Sequence, residues 1–149
     1  ATKAFLPQML ARREGCIVNI SSIAGLMGIP ALSGYNIAKF AVRGLTESLW
    51  SELEGTGVSA VCVHPGGIRT NIERASRRCA NAGEIEARAD LMNRKTLRTP
   101  PERCAADIID GVRRGRRRII TGYRSSAVDW VVRLFPNSYP ALFGRVFGV

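Results

Sequence analysis

Ser22, Tyr35 and Lys39 are the three side chains of this sequence whose types and spacing can do proton chemistry together. Tyr35 and Lys39 stand four residues apart, which on a helix puts both on one face and lets them reach the same ligand. An unperturbed tyrosine, with a pKa of roughly 10, is a poor proton donor or acceptor at neutral pH. A neighbouring ammonium favours the phenolate and moves such a phenol toward the range where general acid–base catalysis is efficient. Ser22 follows a short apolar run, so it belongs at the carboxyl edge of a strand, where open α/β sheets bind their ligands. Its hydroxyl can hold a substrate oxygen beside the phenol, and two hydroxyls converging on one oxygen stabilise the alkoxide character that develops there. A Tyr-x-x-x-Lys pair alone carries little weight, because the same pair is common on solvated helix faces. The elements around it decide.

Those elements are legible. Cys16 to Ile20 is apolar and rich in β-branched residues without alternation, which predicts a strand buried on both faces of a parallel sheet. Ser21 to Gly34 carries Gly25, Gly28, Pro30 and Gly34 and reads as a loop. From Tyr35 to Glu54 the residues Ala38, Ala41, Val42, Leu45, Leu49 and Leu53 recur at helical intervals, and Gly55-Thr56-Gly57 ends the run. Val58 to His64 predicts a second buried strand, stopped by Pro65-Gly66-Gly67. Upstream, residues 1–11 read as a helix ending near Gly15. Downstream, residues 70–99 are polar, basic and weakly helical, long enough for a substrate flap rather than a turn. Pro100-Pro101 opens a further helix with Ala105, Ile108, Ile109 and Val112 on one face, and Arg118 to Thr121 predicts a third strand. Strand, helix, strand, helix, strand is the order of a doubly wound parallel α/β sheet.

Four stretches carry a family resemblance: Asn19-Ile20-Ser21-Ser22-Ile23-Ala24-Gly25, Tyr35-Asn36-Ile37-Ala38-Lys39-Phe40-Ala41, Gly44-Leu45-Thr46-Glu47-Ser48-Leu49, and Val63-His64-Pro65-Gly66-Gly67-Ile68-Arg69-Thr70. In this order, and with thirteen residues from Ser22 to Tyr35, they closely resemble the catalytic half of the short-chain dehydrogenase/reductase family. The resemblance implies a Rossmann-like sheet present only as its C-terminal part, with about three strands and flanking helices. It implies an NAD(P)-dependent oxidoreductase that interconverts alcohols and ketones. Tyr35 would be the general acid in reduction and the base in oxidation. Lys39 would favour its phenolate and hydrogen-bond the nicotinamide ribose. Ser22, rather than the adjacent Ser21, would polarise the substrate carbonyl. Pro65 and Gly66 would form the turn beside the cofactor, with the backbone of Ile68 and the hydroxyl of Thr70 holding the nicotinamide carboxamide and nearby phosphate. The cofactor is NAD or NADP.

The family's strand, glycine-rich turn and helix, which cradle the pyrophosphate, have no counterpart here. The match Gly55-Thr56-Gly57-Val58-Ser59-Ala60 runs from helix to strand, the reverse of the context that aims amides at phosphate. The expectation is that residues 1–149 are the C-terminal part of a single NAD(P)-binding domain. The chain by itself should then bind NADPH weakly, and a tight, saturable fluorescence titration would contradict that. The alternative is a noncatalytic remnant whose long helix from Tyr35 pairs with a partner subunit; since that helix also lies at the family's dimer interface, both readings anticipate a homo-oligomer.

Composition narrows the remaining classes. The chain has 149 residues, 46% hydrophobic, with 22 basic and 12 acidic side chains and a net charge of +10, which describes one globular domain. It contains no apolar stretch long enough to cross a bilayer and no secretory leader pattern, so a cytoplasmic location is expected. Cys16, Cys62, Cys79 and Cys104 lack metal or disulfide spacing, so no metal is expected. Arg113, Arg114, Arg116, Arg117 and Arg118 read as a solvated turn rather than a nucleic-acid patch. The apolar loop residues Leu26, Met27, Ile29 and Leu32 suit either structure or a lipophilic ketone or alcohol. Residues 126–149 form two apolar segments split by Pro136 and Pro140; they can close over the substrate, pack at a subunit interface, or lie on a membrane beside Arg133 and Arg145.

Overall fold

The computed structural model describes residues 1–30, 32–72, 83 and 96–147, with side chains as far as residue 143. Helix α1 (Thr2–Arg12) leads into strand β1 (Gly15–Ile20), a 3₁₀ turn (Ile23–Gly25), helix α2 (Ser33–Glu52), strand β2 (Val58–Pro65), helix α3 (Pro101–Arg113), strand β3 (Arg118–Thr121), and helices α4 (Ser125–Leu134) and α5 (Tyr139–Phe147). Most of the expected flap at residues 70–99 lies outside the described residues. The three strands are parallel in the order β1-β2-β3, with Gly15 beside Val58, Ile20 beside Val63, and Cys62 beside Arg118. This is the expected Rossmann-like sheet portion with flanking helices.

Alternation along β2 builds both layers of the core. Val58 and Ala60 pack with Leu49 and Leu53 of α2, backed by Leu6 and Met9 of α1. Val61 and Val63 face the other way, onto Ile119 of β3 and Ile108 and Val112 of α3. At Gly111 a Cβ would lie 2.7 Å from Ile119 Cγ1, so a glycine is needed for α3 to approach the sheet this closely.

The sequence expectation fails in three details. β1 is not buried on both faces, since Val18 and Ile20 are exposed. They share the face of Cys16, and α3, which arises in the β2-to-β3 crossover, covers β2 and β3 instead. On α2 the buried line runs through Thr46 and Leu49, while Leu45 faces solvent. A polar contact replaces an apolar one there: Asn19 Nδ2 donates to Thr46 Oγ1 (3.0 Å), whose hydroxyl donates to Val42 O (2.7 Å). On α3, Cys104 and Gly111 are the buried residues, and Ile109 is exposed.

The arginine run also divides. Arg113, Arg114, Arg116 and Arg117 are exposed, but Arg118 lies inside β3 and pairs with the buried Asp129 of α4 at 2.5 Å. Asp129 also holds Arg133 of its own helix at 3.2 Å, so one carboxylate serves two arginines and, through Arg118, ties α4 to the sheet.

Candidate active site

β1 and β2 end side by side, and the segment leaving β1 is strapped to its neighbours. The amide of Ser21 donates to Val63 O (2.8 Å), and the Ser21 hydroxyl donates to Lys39 O (2.7 Å). That occupies Ser21 structurally and leaves Ser22 as the hydroxyl at the turn. Ser22 is extended (φ −171°, ψ 169°) and caps the 3₁₀ turn, its oxygen accepting from the Ala24 amide at 3.1 Å. As an acceptor there, the hydroxyl keeps its own proton for a second partner. Gly25 lets the turn lie against α2: a Cβ would stand 2.7 Å from Lys39 O.

α2 begins at Ser33, so Tyr35 and Lys39 occupy its first turns. The Lys39 ammonium lies 5.6 Å from the centroid of the Tyr35 ring and donates to Ile20 O at 3.1 Å. Lys39 therefore spans from the tyrosine to the last residue of β1, two positions before Ser22. Tyr35 is 39% exposed, open to an incoming ligand. Asn36, next to it, donates through Nδ2 to Ile29 O (2.9 Å) and holds the loop leading into α2.

After β2, the chain turns at Gly66, whose amide donates to Thr121 O (2.9 Å) and where a Cβ would lie 2.7 Å from Ile23 Cγ2. Gly67 takes a left-handed φ of 64°, which glycine adopts without cost. Ile68 bridges to Thr99, and the Arg69 amide donates to Thr99 O (2.9 Å), so the segment before α3 supports this loop. Thr70 is exposed at its end. Pro65, Gly66, Ile68 and Thr70 thus continue from the same sheet edge that carries Ser22 and the Lys39 contact.

Two residues here escape a reading of the sequence. His64 is fully buried, and its Nδ1 lies 3.1 Å from the carbonyl oxygen of Ser22. The carbonyl can only accept, so Nδ1 carries the proton in the neutral ring and pins the Ser22 backbone from beneath. Burial pushes the His64 pKa down, reinforced by Arg118 and Arg43, against the opposing pull of the Ser22 carbonyl and Asp129. Below the ordinary value of about 6.5 the unfolded chain takes up a proton that the folded chain refuses, so stability is full above that pH and falls as pH drops toward the lowered folded value. Urea midpoints measured at about pH 7.5 and about pH 5.5 should show a loss that His64→Gln reduces; equal slopes in both proteins would contradict it. Tyr139 is the second: its hydroxyl accepts from the Gly28 amide at 3.3 Å, bringing α5 onto the loop after Ser22. Of the apolar loop residues, Leu26 and Met27 are buried core, while Leu32 is exposed.

The donor set suits the nicotinamide end of a dinucleotide: a lysine ammonium and a phenol from the first turns of α2, with a threonine hydroxyl and a glycine turn from the segment after β2. The Gly55-Thr56-Gly57 run sits at the opposite end of the sheet, between α2 and β2. Gly55 and Gly57 have φ of 72° and 85°, and a Cβ on Gly57 would overlap Arg13 O; these glycines serve a turn, not a phosphate.

A sequence model of short chain dehydrogenase matches residues 1–81. The SadH protein of Mycobacterium tuberculosis is 42% identical over 143 residues, covering 95% of this chain and 51% of its own length. A hydroxysteroid dehydrogenase of the same organism, named 3-alpha-(or 20-beta)-, is 46% identical over 68 residues, which is 46% of this chain and 26% of that protein. Among solved structures, a Burkholderia phymatum short chain dehydrogenase/reductase in complex with NAD superposes with a TM-score of 0.76 at 28% identity, over 95% of this chain and 54% of its own. The chain therefore spans about half the length of SadH and of this structure. With the family model matching more than half of its residues, on a parallel sheet with Ser22 just past the end of β1 and Tyr35 and Lys39 in the first turns of α2, the chain belongs to the short-chain dehydrogenase/reductase family of oxidoreductases.

Proposed function

We propose that this chain is the proton-transfer and substrate-facing half of an NAD(P)-dependent oxidoreductase that interconverts alcohols and ketones. The observation that carries the reading is Lys39, whose ammonium spans from the Tyr35 ring to the Ile20 carbonyl and so joins the phenol to the strand end bearing Ser22. NAD or NADP supplies hydride chemistry when bound. The chain's own residues do the rest. Ser22, held in place by the Ala24 and His64 contacts, donates its hydroxyl proton toward the substrate carbonyl oxygen. Tyr35 gives that oxygen a proton in reduction and takes one from the alcohol in oxidation, with the Lys39 ammonium stabilising negative charge as it develops on the phenol oxygen. Lys39, the Ile68 backbone and the Thr70 hydroxyl would hold the ribose, carboxamide and phosphate. The names of the relatives support alcohol and ketone substrates, and the NAD complex supports the cofactor class.

The test is a chimera in which this chain follows the strand, glycine turn and helix half of a family relative. Ketone-dependent oxidation of NADH or NADPH supports the proposal. A second reading, an oligomerisation module without catalysis, draws on Ile37, Phe40 and Leu45, which α2 leaves exposed. A chimera that oligomerises yet turns over no carbonyl substrate would favour it.

A further inference from the structure

We infer that α4 and α5 present a docking surface for an anionic lipid bilayer, a role independent of the catalytic reading. Trp130 and Leu134 lie one turn apart on α4 and are 61% and 64% exposed, followed by Phe135 at 50% and by Leu142 of α5 at 52%. The other side of the unit is committed to the protein, through the Arg118 to Asp129 pair and the Tyr139 contact with Gly28. The exposed side is therefore apolar and aromatic without a described partner for it to cover, the composition of a helix that lies in a membrane interface.

Charge selects the occupant. From Gly122 to Phe147 the charged residues are Arg124, Asp129, Arg133 and Arg145. The one acidic residue, Asp129, is buried and shared by two arginines, whereas Arg124 and Arg133 are exposed. Every exposed charge described on the unit is thus positive. A second copy meeting this face symmetrically would bring two positively charged patches together with no exposed acid on the unit to offset them, because an isologous contact uses the same patch twice. An anionic headgroup layer complements those charges while its acyl region receives Trp130, Leu134 and Phe135. Among the described residues no helix is long and apolar enough to cross a membrane, so the contact is peripheral.

Sedimentation of the full chain with sucrose-loaded vesicles tests this. With about 30% phosphatidylserine in phosphatidylcholine the chain should pellet, whereas with phosphatidylcholine alone it should stay largely in solution. Raising salt from about 0.1 M to about 0.5 M should release it. The Trp130→Ser/Leu134→Ser double variant should partition about tenfold more weakly, and Arg124→Gln about fivefold more weakly. All these side chains are exposed, so circular dichroism should be unchanged. Trp130 emission should shift to the blue on binding, against a constant background from Trp50, whose indole is tied to Ala60 O at 3.0 Å. Failure to pellet with the anionic vesicles, equal pelleting of the double variant, or a dimer that the double variant converts to monomer without any lipid binding would each overturn the inference.

Discussion

Tyr35→Phe, in the chimera that restores a cofactor-binding half, should lower kcat for carbonyl reduction by at least about 10²-fold while leaving KM within a few fold. Phenylalanine keeps the ring under the Lys39 ammonium, which lies 5.6 Å from the centroid, and removes only the hydroxyl. The loss therefore isolates proton transfer from packing. Ser22→Ala should cost about as much, since in the proposed mechanism it deletes a donor to the oxygen where charge develops. Because Ser22 Oγ accepts from the Ala24 amide, its removal also loosens the 3₁₀ turn, so Tyr35→Phe is the cleaner variant. A Tyr35→Phe protein that retains kcat within threefold would remove the phenol from the mechanism.

Asp129→Asn should produce the largest loss of stability, about 3–5 kcal/mol, because it strands the Arg118 charge without its partner. The pair is 17% and 12% exposed, too dry for water to replace the carboxylate, and Arg118 Nε is already buried without a hydrogen bond among the described residues. Arg117→Gln provides the comparison. Arg117 pairs with Glu54 at 2.8 Å, but both are more than half exposed, so its loss should cost under about 1 kcal/mol. Urea unfolding of the two variants separates the cases, and similar midpoints would show that the Arg118 to Asp129 pair contributes no more than a surface contact. A total stability of about 5–15 kcal/mol makes the difference easy to read.

How far the sequence discloses this arrangement follows from how far apart the interacting residues lie. The strands are legible at Cys16 to Ile20 and Val58 to His64, because apolar β-branched runs bounded by glycine and proline leave few alternatives. Tyr35 and Lys39 are legible because one helical turn relates them. His64 is different: within an apolar strand a lone histidine has no periodicity, and its partner, the Ser22 carbonyl, is 42 residues away. The contact of Tyr139 with Gly28 spans 111 residues and depends on the docking of α5. Arg118 belongs by composition to a solvated arginine run, and only the crossing of α4 over β3 brings Asp129 to it. Thr46 likewise takes an interior place on α2 because Asn19 of β1 offers it a hydrogen bond. Local pattern thus reveals the three strands, the three helices between and before them, and the Tyr35 and Lys39 pair, while tertiary pairing determines which polar residues enter the core.

The central claim is that the Ser22 and Tyr35 hydroxyls converge on one reacting oxygen. A crystal structure of the chimera with NADP and a bound ketone analogue tests it most directly. The account predicts Ser22 Oγ and Tyr35 Oη both within about 2.6–3.2 Å of the carbonyl oxygen, with Lys39 Nζ beside the ribose. A carbonyl oxygen held by other donors, with Tyr35 turned to solvent, would contradict it.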